Sequence, residues 1–190
     1  MKKITLIICV VIYPAVFTGL YAQDDAAMKA WQNYMTPGDV HKMLATSDGT
    51  WNEDITMWMA PGAPPTKTTA TTENKMILGG RYQQSTTKGS FNNMPFEGIS
   101  LLGYDNAKKV FMNSWIDNMG TGILQMQGTW DPAGKTINFT GTTVDPMTGK
   151  DMNVRQTFTL VDNNTQMITM YMTQGGQEYK NMEIKLTRKM

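Results

Sequence analysis

From Gly49 to the C-terminus the chain breaks into about ten short segments, alternating or Thr-rich, each ended by turn-forming residues and none with a helical period. Such a pattern restricts the chain to antiparallel β architecture. The links are Pro61-Gly62-Ala63-Pro64-Pro65, Gly79-Gly80, Asp105-Asn106-Ala107-Lys108, Asp131-Pro132-Ala133-Gly134, Asp145-Pro146-Met147-Thr148-Gly149, Asp162-Asn163-Asn164 and Gln174-Gly175-Gly176. All are turn chemistry, and all are too short to carry a crossover helix between parallel strands. Strands are expected at 51–59, 66–78, 81–90, 94–104, 109–117, 122–130, 136–142, 152–160, 166–171 and 177–187. Joined in sequence, they form an all-β, antiparallel up-and-down barrel of about ten strands. A two-sheet sandwich is the alternative, because strand patterns alone do not fix closure.

The N-terminal region reads differently. Met1-Lys2-Lys3 precedes an uncharged apolar run from Ile4 to Leu20, and Tyr21-Ala22 before Gln23 supplies a cleavage point, so residues 1–22 are expected to be a signal peptide. A retained membrane anchor is the rival reading; Pro14 and Gly19 interrupt the run, which is at the lower limit of the ~18 to 20 apolar residues a span requires. Residues 23–46 form a short helical leader. Ala26, Ala27, Ala30, Trp31 and Tyr34 share a face, Asp24 and Asp25 favour its N-terminal end, and Thr36-Pro37-Gly38 interrupts it. Asp39 is expected to cap a second helical stretch to Leu44, packed over one end of the barrel, residues 47–190.

Composition narrows the partners. The single cysteine, Cys9, lies in the apolar run, so an exported form has no thiol and depends on its core for stability. Formal charge is +1 for the whole chain and −1 after removal of Lys2 and Lys3, with no basic cluster. Nucleic acid and anionic lipid are disfavoured as partners, and no membrane span is expected after cleavage. The destination is periplasmic or secreted.

Gly49-Thr50-Trp51 resembles the Gly-x-Trp element that begins the first strand of the calycin group, the lipocalins and fatty-acid-binding proteins. That resemblance implies a Trp51 indole at the closed end of the barrel beneath a basic residue of the last strand, here Arg188. A more extensive likeness runs through Trp58-Met59-Ala60-Pro61-Gly62-Ala63-Pro64-Pro65, Ile77-Leu78-Gly79-Gly80-Arg81-Tyr82, Met94-Pro95-Phe96-Glu97-Gly98, Gly103-Tyr104-Asp105-Asn106, Trp115-Ile116-Asp117-Asn118-Met119-Gly120-Thr121-Gly122 and Asp145-Pro146-Met147-Thr148-Gly149-Lys150. In order and spacing these segments resemble the bacterial family known as domain of unknown function 1579 (DUF1579). The resemblance implies a barrel fold and carries no activity.

Candidate binding residues come from the same segments. Arg81 with Glu97 or Asp117, and Tyr104, would hold a polar head group inside a barrel; facing outward, they would form a structural ion pair at the rim. Trp58 and Trp115 would wall a cavity or simply fill a core. Gln156 stands in the row Met152, Val154, Gln156, Phe158, Leu160, whose other face is Asn153, Arg155, Thr157 and Thr159. An amide in that apolar row needs a partner: a side chain, an enclosed water or a ligand.

Eighteen methionines suit an adaptable apolar lining. Met57-x-Met59 and Met170-x-Met172 would also suit soft copper, yet with no other soft ligands the lining is the favoured reading and no metal is assigned. His41, in the leader, is the only imidazole, which leaves a Ser-His-Asp triad or a histidine-ligated haem without support. No cofactor and no catalytic residue are expected. The expected function is the binding or carriage of a small apolar or amphipathic molecule. An enzyme using barrel carboxylates and an envelope interaction protein using the outer face are the alternatives.

Overall fold

The computed structural model describes residues 19–190, with side chains from residue 25 onward. Most of the expected signal peptide therefore lies outside the described residues. The chain divides into two compact units, the second being Thr36–Met190. In the first, helix α1 runs Gly19–Met35. It begins earlier than expected, so Asp24 and Asp25 lie within it and no acidic side chain occupies its first turn.

The second unit opens with α2 (Asp39–Ala45). Ten strands follow: β1 (Gly49–Met57), β2 (Thr66–Ile77), β3 (Tyr82–Phe91), β4 (Met94–Asp105), β5 (Val110–Asp117), β6 (Leu124–Asp131), β7 (Thr136–Val144), β8 (Asp151–Asp162), β9 (Thr165–Gln174) and β10 (Gln177–Arg188). Each pairs antiparallel with its sequence neighbours, and β1 pairs with β10 from Trp51↔Arg188 to Met57↔Met182. The sheet is a closed barrel, not a sandwich. Two turns need positive φ at both central residues: Asn92-Asn93 (48° and 63°) and Gly175-Gly176 (59° and 81°). These are the residue types that accept the mirror-image turns matched to strand twist.

Alternation sends Trp51, Glu53, Ile55 and Met57 of β1 inward. The buried core of Leu102, Phe111, Met126, Ile137, Phe139 and Val154 lies on the same inner surface of the neighbouring strands. Helix α2 covers one end, with Leu44 in the main core and Val40 and Met43 packed against it. Its N-cap is Gly38 rather than Asp39, whose carboxylate instead accepts from Lys42 at 2.8 Å across the first turn. Asp39 lies one residue inside the helix, where its charge favours the N-terminal dipole without capping an amide.

Trp51 closes this end. Its indole is fully buried and donates to the Ser47 carbonyl at 2.9 Å. The Arg188 guanidinium lies 4.2 Å from the ring centre and donates to the carbonyls of Asp48 at 2.6 Å and Thr46 at 2.7 Å. One cation therefore ties the last strand, the first strand and the α2–β1 link together.

Candidate functional site

The barrel encloses a cavity of about 350 Å³, lined by inward residues of the strands. Toward the end opposite α2 its wall is Phe91, Phe96, Trp115, Asp117 and Met119. Trp115 stacks on Phe96 with ring centres 6.3 Å apart, and its indole lies across Gly98, where a Cβ would overlap the ring. Asp117 fixes that indole, accepting from Trp115 Nε1 at 2.7 Å on one oxygen and from the Met119 amide at 2.9 Å on the other. A carboxylate so engaged serves to orient its neighbours.

One side of the middle is thioether. Met57 pairs with Met182, and Met182 with Met170, so three inward methionines form a row across β1, β10 and β9. The row continues to Gln156, paired with Met170 and with Phe139. Gln156 is buried and lines the cavity. Met59, by contrast, follows β1 and is exposed. Among the described residues no group of three His, Cys, Asp or Glu is placed to hold a metal ion.

The inner end is polar and was not expected from the sequence. Glu53 is only 5% exposed, accepts from the Thr72 hydroxyl, and Thr72 in turn meets the Thr87 hydroxyl. Asn74 donates to the Ser47 carbonyl at 3.1 Å and Gln166 donates to Ser47 Oγ at 2.8 Å. Gln83 spends its amide protons on the Leu44 carbonyl (2.7 Å) and on Asp48 (3.0 Å). The signal for Glu53 was its parity: it shares a face with Trp51, Ile55 and Met57, where a carboxylate is out of place unless it has a task.

Burial pushes the Glu53 carboxyl above the ordinary carboxylate range, and the Thr72 hydrogen bond pulls weakly the other way. The folded protein therefore keeps this proton where the unfolded chain has lost it. The resulting stability is fully present below the unfolded pKa and is lost as pH rises through the folded value. Glu53→Gln should escape that loss, so the variant gains on the parent as pH rises. His41 has the opposite sign, since burial lowers its pKa, but it is common to both proteins and cancels in the difference. Paired thermal melts from about pH 4 to 9 check this; a pH-independent difference would contradict it.

The other sequence candidates lie elsewhere. Glu97 is on the outer face of β4, 3.3 Å from Lys88, both side chains being exposed. Its inward neighbours are Phe96 and Gly98, so the parity of β4 puts the carboxylate outside. Arg81 sits in the β2–β3 turn and donates to the Leu78 carbonyl at 3.1 Å. Tyr104 packs at the α2 end on Phe111 (4.9 Å between ring centres) and His41 (6.1 Å). Trp58 follows β1, exchanges hydrogen bonds with Asn181 and has the Lys180 ammonium 4.6 Å from its ring. None of these four lines the cavity, and Glu97, Asp117 and Tyr104 do not converge.

His41 is likewise engaged. Its Nδ1 accepts from the Gly38 amide at 3.1 Å, and the ring also hydrogen-bonds the Tyr104 backbone. This histidine secures α2 to β4 and is not directed at the cavity.

A family model described as "Protein of unknown function (DUF1579)" matches residues 36–188. No curated protein matches the chain. Among solved structures, Rv2717c from M. tuberculosis superposes with a TM-score of 0.58 at 13% identity, over 82% of this chain and 100% of that one. The S-type phycobiliprotein lyase CPES from Guillardia theta gives 0.54 at 11% identity, over 83% and 96%. At such identities the likeness is one of fold: a calycin-like barrel.

Proposed function

We propose that this protein, which belongs to the DUF1579 family, is an exported barrel that binds or carries a small apolar or amphipathic molecule in its interior. The single observation behind this reading is the cavity of about 350 Å³ inside the barrel, its wall made of Trp, Phe, Met and other apolar side chains interspersed with polar ones. That volume is within the range of small-molecule sites, and such a lining is their usual make-up. The ligand's apolar body would lie along the methionine row and Trp115. Gln156 is the mid-wall amide available to orient it. Export rests on the N-terminal sequence alone.

A barrel packed solid by its own side chains would have removed this reading. The enzyme alternative loses its proposed carboxylate pair, since Glu97 faces solvent on the outer wall. The interaction reading keeps one supporting observation: Ile99 and Ile116 are cross-strand neighbours on the outer wall, and Leu101 and Met112 extend that exposed apolar surface.

The direct test is titration with a neutral environment-sensitive dye such as Nile red. Saturable uptake at one dye per chain, with a change in Trp emission, is expected. Unsaturable, weak partitioning would move the weight to the outer wall.

A further inference from the structure

The polar inner end of the cavity constrains what it accepts, given the binding reading above. We propose that this end holds a hydrogen-bond donor, the hydroxyl or amine of an otherwise apolar ligand, and discriminates against carboxylates such as fatty acids.

Three observations carry the assignment. First, among the described residues no Lys, Arg or His lines the cavity, so none of them is there to neutralise an anion. Arg188, at the closed end of the barrel, is committed to Trp51 and the carbonyls of Thr46 and Asp48. Second, the amide nitrogens at this end are already engaged, Asn74 and Gln166 each giving one proton to Ser47 and Gln83 giving both of its protons, to Leu44 and Asp48. Third, the acceptors are left over. The carbonyl oxygens of Asn74 and Gln166 are buried without a partner among the described residues, in residues 7% and 2% exposed.

Glu53 adds a carboxyl on the same surface, with Oε1 taken by Thr72. Register places it close to the others: Glu53 is opposite Leu186, which is opposite Gln166, while Thr72 and Asn74 alternate along β2. An alcohol or ammonium brings protons to this excess of lone pairs. A carboxylate brings only more lone pairs.

Matched probes decide the matter: decanol, decylamine and decanoate, each titrated into the full-length protein at about pH 8, where decanoate is ionised. At least one donor-ended probe is expected to bind about tenfold or more tightly than decanoate. Glu53→Met is expected to shrink that gap severalfold. Decanoate binding as tightly as both donor probes would overturn the inference while leaving the cavity reading intact. Failure of all three to bind would overturn both. The probe series in the parent protein is decisive even if the variant fails to fold.

Discussion

Trp51→Ala is expected to destabilise the fold by about 3 to 5 kcal/mol, a large share of the ~5 to 15 kcal/mol that holds a domain together. The indole is fully buried, and its removal leaves a void that the closed end of a barrel has little freedom to collapse. It also removes a hydrogen bond to Ser47 and the aromatic face beneath Arg188. Because Arg188 bridges β10 to Thr46 and Asp48, loosening it also loosens the seam where the barrel closes. Urea titration should show a lower midpoint at unchanged slope. A loss below about 1 kcal/mol would mean that this end is not organised around the indole.

Ala70→Trp is expected to abolish ligand uptake with the barrel intact. Ala70 lines the cavity on β2, opposite Gly89, so a large side chain there has the cavity as its outlet rather than a packed core. An indole would occupy the space beside Glu53 and Ile55 that a ligand needs. Dye affinity should fall by about 100-fold or more, while thermal stability changes by no more than the ~1 to 3 kcal/mol of ordinary overpacking. Unchanged affinity in a folded variant would place the dye outside the barrel.

Much of this architecture was legible because turns and alternation are local. All ten strands fall within three residues of their expected bounds, and the Gly-x-Trp element foretold the Trp51–Arg188 contact. Which face is inward was readable only where one face is uniformly polar. In β8 the apolar row through Gln156 faces in, as its Arg and Thr neighbours demand. In β4 the outer face carries Ile99 and Leu101 while the inner carries Gly98 and Ser100, so hydrophobicity points the wrong way and Glu97 is misread as a lining residue.

The polar inner end was hidden for a different reason. Glu53, Asn74, Gln83 and Gln166 come from four strands, and barrel closure brings Gln166 of β9 to the same Ser47 that Asn74 of β2 bonds. Each alone resembles a surface residue; together they form the part of the cavity with the most specific chemistry.

Native mass spectrometry of the purified protein, with organic extraction and identification of what accompanies it, tests the central claim most directly. A single reproducible species of small-molecule mass, carried by the parent and absent from Ala70→Trp, is the expected result. A protein that is empty as purified and stays empty when exposed to apolar alcohols, amines and acids would contradict the proposal that the barrel is a binding site.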